Sequence, residues 1–278
     1  MKFLDSVLLS VVEGVTEFLP VSSTGHMILA QRLLGIEDSE AVKAFLVIVQ
    51  AGAILAVLTV FWPTFLRWIR AWFSLIFPLQ RSSGSAALIG DRVQSVFFAL
   101  SVVPFAILGY FNRELIKSLF NVRVVAYALL VGGLLILLDE WVLSRRRRGK
   151  ERNLESFGFL DALVIGLGQC CALWPGFSRS AATIIVGRWR GFSRTAAAEV
   201  SFLVGLPTLC GTALYEMKSS WQLIDSEMRV QLAFGICVAW LTAYACVKSF
   251  LIFLRRFPLT VFAYYRIIVA GLLLYFWN

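Results

Sequence analysis

Six long apolar runs, at 44–61, 93–111, 122–143, 199–215, 231–254 and 259–277, set the class of structure open to this chain. Each approaches or exceeds the roughly 18 apolar residues that mark a membrane span. A soluble domain has one core to fill and no use for so many. Inside a bilayer an open segment must satisfy its own backbone, which a helix does within one run. The expectation is therefore an all-α polytopic membrane protein. Composition agrees: 59% of residues are hydrophobic and 15% charged, against about 45–50% and about 25% in soluble domains.

The net charge of +9 would suggest nucleic acid in a soluble protein. Here the basic residues lie mainly between the apolar runs, so topology explains them. No nucleic-acid partner is expected, whereas contact with membrane lipids, including anionic ones, is. Cys170, Cys171, Cys210, Cys237 and Cys246 lie in or beside apolar segments without a CxxC pair, which predicts neither a disulfide framework nor a metal site. Asp5 and Glu13 interrupt the first apolar stretch, so it is read as part of the mature fold rather than a signal peptide.

The basic tract 145–152 divides the chain into halves that resemble each other. Residues 13–26 read EGVTEFLPVSSTGH and residues 165–180 read IGLGQCCALWPGFSRS. Gly14 and Glu17 match Gly166 and Gln169 in spacing, and the stretch from Val124 parallels that from Val261. Such duplication in a membrane protein places a site near the midplane where the copies meet. Pro20 and the pair Pro175-Gly176 interrupt the first segment of each half. The leg after Pro20 would reach only ~15 Å against a core of ~30 Å. Each half is thus expected to be a re-entrant helical hairpin (about 3–35 and 158–190) plus three transmembrane helices. The repeats would span 1–144 and 158–278, joined by a basic cytoplasmic linker at 145–157.

Charge orients this scheme. Arg67, Arg70, Arg81 and Arg92, the 145–152 tract, Arg188, Arg190 and Arg194, and Arg255-Arg256 go inside. The loops 37–43 and 216–229 go outside. Three spans per half make the repeats inverted, with both chain ends outside. Arg113, Lys117 and Arg123 fall outside and fit poorly. The cysteine-replacement position Ser39 in the first outer loop would report this orientation.

The chemistry-bearing residues cluster at the two breaks. Glu13 and Glu17 are four apart, on one helix face, and ionisable residues at membrane depth point to function. Two close carboxylates do not both ionise cheaply without a cation or a shared proton. A shallow helix with the pair facing water is the alternative. Ser22, Ser23, Thr24, Gly25 and His26 follow; hydroxyls and free N–H groups at a helix start suit anions, although Ser and Thr there are often only caps. His26 can serve as acid, base or nucleophile. The second break supplies Ser178, Arg179, Ser180 and Thr183. A buried arginine needs a partner, and its planar fork matches phosphate oxygens. Arg179 could equally pair with Glu13 or Glu17 and join the hairpins, which does not exclude phosphate binding.

The stretch from Glu13 through His26, with Pro175-Gly-Phe-Ser-Arg-Ser180, resembles the two signature motifs of the undecaprenyl-diphosphate phosphatase family, also called bacitracin-resistance proteins. The resemblance covers nearly the whole chain. It implies removal of the terminal phosphate of C55 isoprenyl diphosphate, which recycles the carrier lipid for peptidoglycan and other envelope polymers that set cell shape. It also implies a divalent cation (Mg²⁺ or Ca²⁺), a bacterial inner-membrane location, paired re-entrant hairpins in an inverted repeat, and a homodimer. Carried over by position, the essential acidic pair falls on Glu13 and Glu17, the serine and histidine on Ser23 and His26, and the arginine on Arg179. The expected catalytic residues are Glu17, Ser23, His26 and Arg179. The expected substrate contacts are Ser22, Thr24, Gly25, Ser178, Arg179, Ser180 and Thr183, with Glu13 and Glu17 on the metal. The nucleophile stays open among Ser23 with Glu17 or His26 as base, His26 itself, and a water activated by Glu17. Acid phosphatases with two histidines are echoed only in part, because His26 is the only histidine. A lipid-phosphate transporter or flippase is the alternative, since broken helices with midplane charges also serve transport.

Overall fold

A computed structural model describes residues 1–76, 85–145 and 151–276, apart from the side chains of Ser85 and Lys117. The expected inside charge Arg81, residues 146–150 of the basic tract, the Lys117 charge and Trp277 at the end of the final run lie outside the described residues. Nearly all of the described chain is helical.

The chain opens with α1 (Phe3–Thr16) and α2 (Ser23–Leu33), which pack on each other across a break at Pro20. Two helices follow almost in line, α3 (Glu40–Ile48) and α4 (Ala51–Val60), with a turn at Val49–Gln50 between them. Next come α5 (Trp62–Ile76), α6 (Ser85–Leu100), α7 (Val103–Phe111), the short α8 (Arg113–Ser118) and α9 (Val122–Arg145). The second half contains α10 (Phe159–Gln169), α11 (Arg179–Trp189), α12 (Arg194–Ser220), α13 (Ser226–Leu254) and α14 (Thr260–Phe276). Glu40–Val60, Ala86–Phe111, Val122–Arg145, Arg194–Leu223 and Ser226–Leu254 are each long and apolar enough to cross a membrane. The protein is an all-α integral membrane protein. α14, with 17 residues, rises ~25 Å, shorter than the other five.

Two elements escape the hydropathy reading. α5 falls where the sequence suggests only a basic loop. It buries Thr64, Trp68 and Ala71, exposes Trp62, Ile69, Phe73 and Ile76 on a second face, and carries Arg67 and Arg70 on a third. Such a helix suits a membrane surface rather than a span. α8 occupies the loop with Arg113.

The local geometry of the two broken segments recurs at a spacing of 156. Asp5 accepts the N–H of Lys2 and Asp161 that of Gly158. Ser22 and Ser178 cap α2 and α11, both at positive φ (75° and 77°). Gly35 and Gly191, also at positive φ, follow the same helices. This spacing sets Glu13 opposite Gln169, not Gly14 opposite Gly166. The two glycines match for another reason: each lies where helices cross. A Cβ on Gly14 would lie 1.9 Å from Thr242 Oγ1, and one on Gly166 would lie 2.4 Å from the Ser101 carbonyl.

α9 and α14 pack lengthwise and antiparallel: Glu140 meets Leu259, Gly133 meets Ile267, and Val122 shares a cluster with Leu273. The loops sort to two ends. At one, the Met1 carbonyl accepts from Gln231, and Ile36, Phe45, Ile224 and Met228 cluster. At the other, Gln94 donates to the Leu154 carbonyl, Phe98 stacks on Phe157, and Glu140 accepts from Arg194 and the Leu259 N–H. α1 therefore starts at the first end and α10 at the second.

Four of the arginines assigned to the inside are held in ion pairs. Arg188 is buried and bonds Asp139 and Glu140, Arg194 bonds Glu140, and Arg190 and Arg152 both bond Asp161. The partners of Arg188, Arg190 and Arg194 lie 29 or more residues away in sequence, which is why a loop-by-loop charge count overstates them.

Candidate active site at the two helix breaks

Pro20 lacks an N–H, and Gly176 adopts φ 96°, so neither segment continues as helix. The chain restarts at Ser22 and Ser178. Each serine takes the N–H three residues on, Gly25 and Ala181, onto its hydroxyl. The first two amides of each new helix, Ser23 and Thr24 in α2 and Arg179 and Ser180 in α11, have no intrahelical acceptor. Both starts open on one cavity of about 140 Å³, whose lining includes Glu17, Ser22, Ser23, Thr24, Ser178 and Arg179. Gln50, Thr208 and Thr212 add polar groups and Phe105, Ala172 and Leu209 an apolar wall. Amides at a helix start, backed by the helix dipole, form an anion site. Two such starts with a guanidinium between them favour a multiply charged one.

Glu17 is the hub. Its Oε2 accepts from Ser23 Oγ at 2.5 Å, and its Oε1 accepts from Arg179 Nη2 at 2.9 Å. Arg179 Nη1 donates to the Ser201 carbonyl at 3.2 Å, while Arg179 Nε has no acceptor. One carboxylate thus holds the candidate nucleophile from the first hairpin and the candidate phosphate-binding arginine from the second. Pairing of Arg179 with Glu17, left open by the sequence, is realised, and it leaves a free donor on the arginine.

Glu13 lies one turn deeper, completely buried, with Glu17 and Arg179 as its charged neighbours. Neither of its oxygens meets a hydrogen-bond donor. A buried carboxylate without one is costly to keep ionised unless a cation joins it. The arrangement suits a cation or a proton shared with Glu17. Among the described residues no group of three or more Asp, Glu, His or Cys side chains could hold a metal. A cation would therefore need oxygens from substrate or water beside the two glutamates.

The remaining expected residues surround the cavity without lining it. Ser180 Oγ donates to the Leu19 carbonyl at 2.8 Å, tying the second break to the first. Thr183 Oγ1 donates to the Arg179 carbonyl and meets Ser201 Oγ at 2.6 Å, fixing the backbone under Arg179. Gly25 lets α2 approach Val125; a Cβ there would sit at 3.3 Å. His26 Nδ1 is 2.7 Å from the Ser22 carbonyl, and Nε2 is 2.7 Å from the Tyr265 hydroxyl. A carbonyl only accepts, so Nδ1 carries the proton and Nε2 of the neutral ring accepts from Tyr265. Both ring nitrogens are engaged, and neither meets Ser23. The base within reach of Ser23 is Glu17.

Arg266 was missed by the sequence reading, although a charge within an apolar run is a functional signal. Comparison of the duplicated stretches also marks it: where the first reads Tyr127-Ala128-Leu129-Leu130, the second reads Tyr264-Tyr265-Arg266-Ile267. Gln50, a lone polar residue in the run 44–61, was likewise visible.

A family model for the bacitracin resistance protein BacA matches residues 6–272. The chain belongs to this family. The match spans both hairpins and α9 and α14 between and after them, so membership covers the whole of the site. BacA is the undecaprenyl-diphosphate phosphatase family associated with bacitracin resistance, in accord with an anion cavity in an apolar helical frame.

Proposed function

We propose that this protein hydrolyses undecaprenyl diphosphate to undecaprenyl phosphate and phosphate, recycling the carrier lipid and so conferring resistance to bacitracin. The observation that carries the proposal is the Ser23–Glu17–Arg179 chain of hydrogen bonds, which joins the two hairpin breaks at one cavity. The tail lies along exposed apolar helix faces, and the diphosphate enters between the helix starts. Arg179 and the free amides of Ser23, Thr24 and Arg179 neutralise its oxygens, since phosphoryl transfer depends mainly on positioning and charge. Ser23 gives its proton to Glu17, and its Oγ attacks the terminal phosphorus. The bond to the bridging oxygen breaks, and its electron pair leaves on the lipid monophosphate. Water then attacks the phosphoserine, the Glu17 proton returns to Ser23 Oγ, and phosphate departs. Glu13 and Glu17 would hold a Mg²⁺ or Ca²⁺ ion, which supplies charge neutralisation on the phosphate oxygens.

The architecture behind the proposal is a pair of inverted repeats with re-entrant hairpins in the bacterial inner membrane. Supporting it are the antiparallel α9 and α14, the start of α1 and α10 at opposite ends, and the caps recurring at a spacing of 156. By the positive-inside rule the Gln94–Leu154 end faces the cytoplasm, and the first hairpin enters from the periplasmic side. A homodimer is part of the proposal by family resemblance. Phosphate release from C55 diphosphate by purified protein, with Mg²⁺ and with EDTA, tests the function. Wild type should release phosphate in a metal-dependent way, and folded Glu17→Ala and Arg179→Ala should not. Lipid movement across vesicles without phosphate release would replace this reading with a flippase.

A further inference from the structure

Arg266 is fully buried in the middle of α14, and among the described residues no carboxylate bonds it. Its partners are all backbone carbonyls. Nε donates to Leu129, Nη1 to Pro20, and Nη2 to Ala128, Gly176 and Phe177, at 2.7–3.3 Å. Pro20 lies in the first break, Gly176 and Phe177 in the second, and Ala128 and Leu129 in α9. One guanidinium therefore grips both hairpin tips and the helix behind them. The packing is built around it: a Cβ on Gly132 would fall 2.1 Å from Nη2.

Burying a charge without a counter-ion is expensive, and an apolar side chain would fill the same space more cheaply. The direction of the bonds suggests why it is kept. In a trans peptide the C=O and the following N–H point opposite ways. Drawing the Phe177 carbonyl toward Arg266 turns the Ser178 amide the other way, and Ser178 lines the cavity. Gly176, another carbonyl partner, is itself in the cavity wall. Arg266 thus sits one peptide layer behind the anion site. There it draws carbonyl dipoles away from an anion and adds a positive charge that no carboxylate among the described residues bonds.

We infer that Arg266 is a positioning residue for the diphosphate: by clamping both hairpin tips through their carbonyl groups it brings the two helix starts to bear on one anion. The inference rests on the proposed substrate class. Lysine keeps the charge, but its point-like ammonium cannot replace a planar fork with donors in several directions. Gly132→Ala leaves Arg266 intact and displaces it.

The test is binding of the non-hydrolysable methylenediphosphonate analogue of farnesyl diphosphate, in detergent with Mg²⁺, alongside phosphate release and thermal melting. The proteins are wild type, Arg266→Lys, Gly132→Ala and Arg190→Gln, the last changing an arginine at the Asp161 cluster away from the cavity. Arg266→Lys and Gly132→Ala should each weaken binding about tenfold or more, and lower turnover of C55 diphosphate by roughly 100-fold, the usual penalty for a displacement near 1 Å. Arg190→Gln should bind within about twofold of wild type, whatever its melting temperature. Binding within about twofold of wild type by either folded variant of the Arg266 clamp would overturn the inference, as would equal weakening in Arg190→Gln. If wild type binds the analogue but releases no phosphate, the phosphatase reading fails, and the binding series still decides the role of Arg266.

Discussion

Replacing Gly205 by alanine tests the site without touching any residue that carries its chemistry. Gly205 lies in α12 beneath Arg179, and a Cβ there would be 1.4 Å from Nη1 and 2.2 Å from Cζ. Ordinary contact begins near 3.4 Å, so the guanidinium has to move by about 2 Å. That displacement breaks the 2.9 Å bond to Glu17 and the 3.2 Å bond to the Ser201 carbonyl. A hydrogen bond to a charged group contributes about 1.5–3 kcal/mol, and losing one preorganised donor to a developing anion lowers turnover by roughly 10²–10³. Phosphate release should therefore fall by about that factor. Helix propensity works the other way, since alanine is favoured over glycine within a helix by about 1 kcal/mol. Gly211→Ala on the same helix is the control, because nothing lies within 4 Å of its Cβ position. It should keep wild-type turnover and melt at the same temperature or slightly higher. Phosphate release at the wild-type rate by folded Gly205→Ala would refute the reasoning, because Arg179 would then act from wherever it was pushed.

Further outcomes follow from other contacts. Rapid quenching during turnover should trap phosphate on Ser23; an active enzyme in which neither phosphoserine nor phosphohistidine forms would leave water as the nucleophile. Glu13→Gln should fold with undiminished thermal stability, since neither Glu13 oxygen has a donor to lose, while the Mg²⁺ concentration for half-maximal activity rises at least tenfold. A marked fall in its melting temperature would show that Glu13 is structural. Arg188→Leu leaves Asp139 and Glu140 short of their shared cation and should destabilise the protein by about 3–5 kcal/mol. Denaturation in detergent would show it, and an unchanged transition would mean the cluster contributes nothing net. Ser39→Cys should react with an impermeant thiol reagent in intact cells, and protection of that cysteine would reverse the proposed orientation.

Five of the six apolar runs fall on helices long and apolar enough to cross a membrane and the sixth on the shorter α14, because desolvation of backbone leaves a long apolar segment almost no choice but helix. Pro20 and Pro175-Gly176 mark both breaks for equally local reasons. The register of the duplication was harder to read. Gly14 and Gly166 invite a match at 152, but a glycine answers any close helix crossing, and the caps place the spacing at 156. α5 was missed because its apolar residues are divided between a buried and an exposed face, with Arg67 and Arg70 between them, so its apolar content never forms an unbroken run.

Within the site the division follows distance along the chain. The residue types, and their grouping at two breaks, are written in consecutive positions: Glu13 to His26 and Ser178 to Thr183. Local rules decide that serines cap helices there and that free amides and hydroxyls gather at the helix starts. Which carboxylate meets which partner is a different matter. Glu17 rather than His26 reaches Ser23 because α1 and α2 turn back on each other at one particular angle. His26 faces Tyr265 because α14 lies against α2 and α9. Arg266 reaches both tips only because two breaks more than 150 residues apart converge on it. Such pairings are set by how rigid helices pack, a property of the whole assembly, so the sequence determined the chemical inventory and the membrane setting while tertiary packing alone decided who holds whom.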